Sequence, residues 1–315
     1  MTALLARLQQ WMTPIQADVS IFFNFVPPPY GGGNQFLRAL WTEWLRGGLR
    51  LENNHISSTT RACLYNSFNV DPYRLRRRVR TGCRMVHRVD GPVGAYRGTE
   101  DTIDRDVWAL NQEFAAATIF QSAYSLRAHT ALGLTFTDPY VIPNAVDPSI
   151  FWPHAQHGCE VSRKIRLIST SWSDNPKKGA DTYRWLDDHL DWDRYDYTFV
   201  GRSSVAFRHI RYVPPVDSTQ LADLLRAHDI YVTASWHDPC SNALLEALSC
   251  GLPAVYRDSG GHAELVGQAG LAFTEHDEIP AQIARVVNDY GRYRAQIQVP
   301  TIGAVADRYL QVMHV

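Results

Sequence analysis

Two hydrophobic rhythms alternate along the chain. Short runs that are apolar throughout, such as Ala17–Phe25 (ADVSIFFNF), read as strands buried on both faces. Between them, apolar residues recur every three or four positions. In Asn34–Arg46 the residues Phe36, Leu37, Leu40, Trp41, Trp44 and Leu45 share one broad helical face. Ala62–Phe68, Arg84–Val89 and Ala117–Gln121 continue the strand series in the first half. Asp101–Ala115 and Ser122–Leu132 continue the helix series. The first opens with acids, which suit a positive helix end, and the second with a capping serine. In the second half, strands are expected at Ile165–Thr170, Tyr197–Val200, Ile210–Val213, Ile230–Thr233 and Ala254–Tyr256. Helices are expected at Asp181–Leu190, Ser218–Ala227, Ser241–Cys250 and His262–Val266. Such alternation predicts an α/β fold with parallel sheets covered on both faces. Trp152–Lys164 is polar and aperiodic and reads as a linker. The expected architecture is two Rossmann-like, doubly wound domains facing across a cleft: residues 1–150, a linker at 151–164, and a second domain at 165–300. Ligands of such sheets sit at the carboxyl ends of the strands.

The length of 315 residues fits this division, at roughly 150 residues per domain. With 45% hydrophobic and 20% charged residues, the chain is neither disordered nor fibrous. No run approaches the ~18 to 20 apolar residues of a membrane span. The start, MTALLARLQQWM, lacks the layout of a secretory signal. Cys63, Cys83, Cys159, Cys240 and Cys250 are scattered, which argues against a disulfide framework or a zinc site. A cytoplasmic protein is expected. Net charge is −1, so the whole chain has no bias toward nucleic acid. One stretch is strongly basic, with seven arginines from Arg74 to Arg88. Lysine is rare by contrast, only Lys164, Lys177 and Lys178.

Three segments carry candidate chemistry. Pro27–Asn34 (PPPYGGGN) joins a strand to a helix, and its glycines let backbone approach a ligand at a positive helix end. A purely structural turn is the alternative. Asn175–Gly179 (NPKKG) lies at another strand-to-helix turn and holds two of the three lysines, which suit a phosphate. Its alternative is an ordinary solvated turn. The third segment, Trp236–Pro253 (WHDPCSNALLEALSCGLP), follows the strand Ile230–Thr233. Ser241 or Asn242 would cap a helix whose free amides form an anion site. Glu246 lies one turn into that helix and Asp238 eight positions before it. A helix end for diphosphate with a carboxylate for ribose hydroxyls is what a nucleotide-sugar site requires. For Glu246 read alone, the alternative is a satisfied helix-end acid.

From here the chain resembles the retaining glycosyltransferases of family 4, the group-1 type with the GT-B fold. Those enzymes show an acid, seven residues, a glutamate, ALxCGLP-like text and then a GG…E segment. This chain has Asp238, seven residues, Glu246, ALSCGLP and then Gly260-Gly261-His262-Ala263-Glu264. Val141–Pro153 (VIPNAVDPSIFWP) resembles the family's junction passage, and Gln121–Arg127 (QSAYSLR) its S.YSRR helix start. The glycine turn at Gly31–Gly33 stands where the family has its N-terminal GG.

The resemblance implies roles. Glu246 would bind the donor's ribose hydroxyls, and Asp238 would stand near the donor sugar. Cys240, Ser241, Asn242 and Ala243 would offer backbone amides. Lys178 would neutralise the diphosphate. Gly32 and Gly33 would approach from the facing domain. His87 or Asp90 would stand near the reacting sugar. The final helix, in residues 301–315, would pack back on the first domain. No bound cofactor or metal is implied, and the donor is a UDP- or GDP-type sugar. The Asp191–Asp193 DxD precedes a strand and is not read as a metal site.

Two departures stand out. The first acid is Asp rather than Glu. Ser173 also replaces an arginine that the family usually carries five residues before the lysine. Lys177 or Arg202 are the substitutes in reach for that cation, and Val213 is expected beside the base. The arginine cluster reads either as a solvated helix face or as attraction to anionic lipid, at the inner face of a membrane, or to a phosphorylated, lipid-linked acceptor. Nucleic acid is disfavoured, because no aromatic platform interleaves the basic residues. Besides a glycosyltransferase acting on a glycan or lipid-linked acceptor, two readings stay open. One is a non-catalytic nucleotide-sugar or glycan-binding protein. The other is a nucleotide-sugar isomerase or hydrolase on the same architecture.

Overall fold

The structure, a computed structural model, describes residues 16–27, 32–98, 102–153 and 163–315. The N-terminal MTALLARLQQWM, Pro28–Gly31 of the glycine turn, Asp101 and most of the expected linker with Cys159 lie outside the described residues.

Among the described residues, two parallel sheets of six strands each organise the fold. The first comprises β1 (Val19–Phe22), β2 (Leu51–Asn53), β3 (Ala62–Asn66), β4 (Arg84–Val89), β5 (Ala117–Phe120) and β6 (Pro139–Val141), in the order β2-β1-β3-β4-β5-β6. The second comprises β7 (Ile165–Ser171), β8 (Tyr195–Gly201), β9 (Arg211–Val213), β10 (Ile230–Thr233), β11 (Ala254–Arg257) and β12 (Gly270–Phe273), in the order β12-β11-β10-β7-β8-β9. The central strands are buried along their whole length, which is why they read as unbroken apolar runs. In each sheet the connections reverse direction beside the first strand. That leaves one crevice between β1 and β3 and another between β7 and β10, each at a strand-order switch.

Helices cover both faces. In the first domain they are α1 (Gly32–Arg46), α2 (Pro72–Arg78), α3 (Val93–Arg97), α4 (Ile103–Phe114) and α5 (Ala123–Ala131). In the second they are α6 (Ala180–His189), α7 (Ser218–Arg226), α8 (Asn242–Ser249), α9 (His262–Val266), α10 (Ile279–Asn288) and α11 (Tyr290–Ala295). Caps fix several starts as the sequence requires. The Ser122 hydroxyl accepts from the Ser125 amide, Asp217 from Gln220 and Ser241 from Leu244.

The last helix, α12 (Ile302–Met313), leaves the second domain and packs on the first. Its Tyr309 is fully buried against Phe36 and Trp44 of α1, with ring centroids 5.8 and 6.5 Å apart. Arg84 Nε donates to the Val312 carbonyl at 2.8 Å, and the Arg308 guanidinium to that of Val141 at 2.7 Å. The two domains are therefore joined at the ends of the chain segment 142–301 as well as across the cleft.

The arginine cluster does not form one surface. α2 presents Arg74, Arg76, Arg77 and Arg78 outward, and only its Leu75 is buried. Arg76 pairs with Glu113 at 2.7 Å, and Arg77 lies over the exposed Tyr73 ring. Arg84 and Arg88 belong to β4 and turn inward. Strands β2 and β6, with three residues each, and the Pro-started α10 escaped the sequence reading, as did β12 with its glycine start. Among the described residues no helix is long and apolar enough to cross a membrane.

Because Tyr309 fills the seam between α12 and α1, Tyr309→Ala should lower unfolding stability by about 3–5 kcal/mol, the range for deleting a large buried aromatic. Urea titration of the first domain's transition checks this. A loss below about 1 kcal/mol would show that α12 contributes no core there.

Candidate functional site

The second domain's motifs converge where β7 and β10 end. Asn175–Gly179 makes one 3-10 turn, in which the Asn175 side chain accepts from the Lys177 amide at 2.9 Å. Gly179 sits at φ +87, and a Cβ there would stand 2.5 Å from Ala234. Only glycine allows this turn to dock on the loop after β10. The Trp236 amide then donates to the Lys177 carbonyl at 2.7 Å. The docking brings Lys178 Nζ within 2.8 Å of Asp238 Oδ2, sixty residues away in sequence.

This pair is electrostatically self-consistent. Burial alone would lower the Lys178 pKa, but the charge and hydrogen bond of Asp238 carry it above its ordinary value. Burial would raise Asp238, but the charges of Lys178 and His262 hold it below the ordinary carboxylate value. The pair therefore stands as ammonium and carboxylate. His262 is fully buried. It bonds the Arg257 carbonyl through Nδ1 at 3.0 Å and the Ser235 hydroxyl through Nε2 at 3.1 Å, and burial lowers its pKa.

Eight residues after Asp238 comes Glu246, on α8. Ser241 caps that helix, and Asn242 and Ala243 open it, so their amides lack helical partners. Cys240 is buried just before the cap, and burial pushes its thiol up to about 12. Glu246 is buried, its Oε2 has no hydrogen-bond partner among the described residues, and burial pushes its pKa up to about 8. It borders a cavity of about 190 Å³ between the domains, together with Asn242, the α1 residues Gln35, Phe36 and Arg38, and Asp147 of the junction. An unpartnered buried carboxyl facing a cavity is poised for hydroxyl groups.

From the first domain, α1 points its N-terminus at that of α8. A Cβ on Gly32 would run into the side-chain Nδ2 of Asn242, whereas one on Gly33 would meet nothing within 4 Å among the described residues. A side chain at position 32 would have to displace the Asn242 side chain for the domains to close this far.

A fully buried arginine underlies this face of the cleft. Arg88, at the end of β4, donates to Asn66 at 2.7 Å, Asp90 at 3.1 Å and Asn144 at 2.9 Å, and lies 5.0 Å over the Phe36 ring. Asn144 donates onward to Gln121 and, across the cleft, to Asn242, each at 3.0 Å. Gln121 also bonds Asp90. Asp90 is thereby fixed at the cleft, and Gly91 beside it packs on Pro239 of the second domain. His87 is placed differently. It is sealed in the sheet's other face, stacked on Tyr65 at 4.3 Å and bonded to Asn111, and burial drops its pKa to about 3. Of the two residues expected near the reacting sugar, only Asp90 stands at the cleft.

The remaining expected residues divide in the same way. Arg202 shares a small recess with Ser173 and Lys178, so a cation stands where Ser173 lacks one. Lys177 instead holds its ammonium over the Trp236 ring at 6.0 Å. Val213 ends the edge strand β9 and packs on the second domain's core. In the DxD, Asp191 accepts from the Asp193 amide at 3.1 Å and closes a turn before β8. The sequence reading missed Arg88, Asn144 and Gln121. The signal was present: Arg88 lies inside the apolar strand RMVHRV, two positions before Asp90 and hence on the same face.

Residues 196–289 match the family model of glycosyl transferases group 1. D-inositol 3-phosphate glycosyltransferase 2 of Catenulispora acidiphila is 41% identical over 70 residues, 22% of this chain and 16% of its own length. Spore coat protein SA of Bacillus subtilis is 29% identical over 83 residues, 26% of this chain and 22% of its own length. The matched stretches thus span less than a quarter of those relatives. Among solved structures, sucrose-phosphate synthase of Thermosynechococcus elongatus superposes with a TM-score of 0.73 at 15% identity, covering 95% of this chain and 98% of that one. Anabaena HepE in complex with UDP-glucose superposes at 0.63 and 17% identity, covering 94% and 95%. The family match falls on the region that holds Asp238 and Glu246, and the architecture is shared across both domains. The chain thus has the GT-B fold, and its residues 196–289 are similar to the group 1 glycosyl transferases.

Proposed function

We propose that this protein transfers a sugar from a nucleoside diphosphate sugar to a hydroxyl acceptor with retention of configuration. The carrying observation is the convergence of the Lys178–Asp238 pair, the open end of α8 and the unpartnered Glu246 on one side of a closed cleft, with Asp90 opposite. Glu246 would take the ribose hydroxyls. The α8 amides and Lys178 would hold the diphosphate, with Arg202 in place of the cation lost at Ser173. A diphosphate leaving group develops charge as the glycosidic bond breaks, and fixed donors and cations stabilise it without reorganising. The acceptor hydroxyl would attack from the face that the diphosphate leaves, with its proton passing to a departing phosphate oxygen. Asp238, ionised by its lysine, would fix Lys178 and the donor sugar's hydroxyls. No step requires a metal. The UDP-glucose complex of HepE, a neighbour in fold, supports a UDP-type donor as the first to test. The exposed arginines of α2 suit a phosphorylated, lipid-linked or glycan acceptor reaching the first domain.

A transfer assay with UDP- and GDP-sugars and hydroxyl acceptors tests this, with the product's anomeric configuration read by NMR. Retention is expected. Lys178→Ala should lower kcat by about 10²–10³-fold, the effect of removing one preorganised donor to a developing charge. Arg202→Ala should cost more than Lys177→Ala. Free sugar released without any acceptor, or an inverted product, would replace this reading with a hydrolase or an inverting enzyme.

Glu246 also makes a pH prediction. Its folded pKa, about 8, lies above the ordinary 4.5, so the unfolded chain ionises first as pH rises. Folding is therefore penalised progressively from about pH 4.5 up to about pH 8, and the penalty is constant above that. Glu246→Gln removes it. The variant's thermal midpoint, relative to wild type, should rise between pH 5 and pH 8. A difference independent of pH would show that Glu246 is not buried as a neutral acid.

A further inference from the structure

The segment Ser259–Glu264 touches both sides of the cleft. On its own side it holds the Asp238 loop. The Gly261 amide donates to the Asp238 carbonyl at 2.8 Å, and the His237 amide donates to the Ser259 hydroxyl at 3.0 Å. Gly260, at φ +67, lies so close that a Cβ would stand 2.3 Å from the Asp238 carbonyl oxygen; one on Gly261 would stand 2.3 Å from that of Pro239. This strap therefore sets where the Asp238 backbone can be.

On the other side, the Glu264 carboxylate reaches α5 of the first domain. Its two oxygens accept from the Ala123 and Tyr124 amides, each at 2.7 Å. These amides open the helix and have no partner within it, while the Ser122 hydroxyl already serves Ser125. A carboxylate at a positive helix end, with two short charge-assisted bonds, is a strong cap. Arg127 adds a cation 3.5 Å from the same carboxylate. The cap serves no purpose within either domain, since its donor and acceptor lie on different ones. Two further contacts place α5 at the reaction centre. The Ser125 hydroxyl donates to the Asp90 carbonyl at 2.9 Å, and the Tyr124 hydroxyl meets His237 Nδ1 at 2.9 Å.

We propose that Glu264 is a positioning residue: it caps α5 only when the domains are docked, and so locks the Ser259–Gly261 strap against the Asp238 loop. Domain docking then sets the place of Asp238. The consequence for catalysis rests on the transfer reaction proposed above; the contact itself does not.

The test approaches the latch from the opposite domain. Proline is well tolerated at the first helical position, and Ser122 already has the extended backbone that a following proline requires. Ala123→Pro thus removes one donor to Glu264 and leaves α5 in place. Amide exchange on the full-length chain reads the result at Gly261, in the unaltered domain. Ala123→Pro and Glu264→Ala should each speed exchange there by about tenfold, equivalent to about 1.4 kcal/mol of lost docking. The double variant should add little to either, while amides within α5 and β10 stay protected. Lost protection in α5 would mark a folding defect in Ala123→Pro, and Glu264→Gln, which loses the charge and one acceptor, then decides. Unchanged exchange at Gly261 in both single variants, or additive effects in the double, overturns the latch. Where the wild type transfers sugar, the variants should lower kcat and leave the donor KM unchanged. Absence of transfer by the wild type would count against the proposed reaction while the exchange result still judges the latch.

Discussion

A charge buried without water must be surrounded by partners, and Arg88 imposes that demand at the centre of this molecule. Its guanidinium is fully buried, so an unmatched position would be strongly destabilising. Asn66, Asp90 and Asn144 answer its two terminal nitrogens, from three different segments of the first domain, while Nε has no hydrogen-bond partner among the described residues. Asn144 lies in the junction passage and reaches on to Asn242 at the start of α8. The same network that neutralises a buried cation therefore fixes Asp90, the junction and the opening of the donor-side helix relative to one another. Truncating Arg88 would leave Asp90 without its ion pair as well as opening a void under Phe36.

Around this anchor, glycines allow the close approach and carboxylates make it specific. Gly32, Gly91 and Gly261 each occupy a place where a Cβ would collide with the facing segment. Lys178–Asp238 and Glu264–α5 then supply paired charges at the surfaces brought together. Glu246 is the exception. Its Oε2 is buried without a partner among the described residues, and desolvation drives it toward its neutral form, a local cost that the proposed donor-binding role would explain.

The core strands were legible because both of their faces are buried, so that β4 and β10 appear in the sequence with the bounds they have in the fold. Edge strands of three residues carry too little pattern to show. The places of Asp238, Lys178 and Glu246 were legible because they sit at fixed distances from strand ends and helix caps, which local sequence encodes. Arg88 was read as part of a surface run because charge counting along the chain ignores alternation across a strand. The family resemblance points to His87 near the reacting sugar, but neighbours along a strand face opposite ways, and His87 lies on the face away from Arg88. The partner of Glu264 lies about 140 residues away, and no local pattern names it.

Calorimetric titration of the protein with UDP, GDP, ADP, dTDP and CMP tests the central claim most directly, that the Lys178, α8 and Glu246 surfaces form one donor site. The account predicts one-to-one binding of a nucleoside diphosphate that is weakened by Lys178→Ala and by Glu246→Ala alike. Binding that survives both substitutions, or no binding of any nucleotide by the wild type, would contradict it.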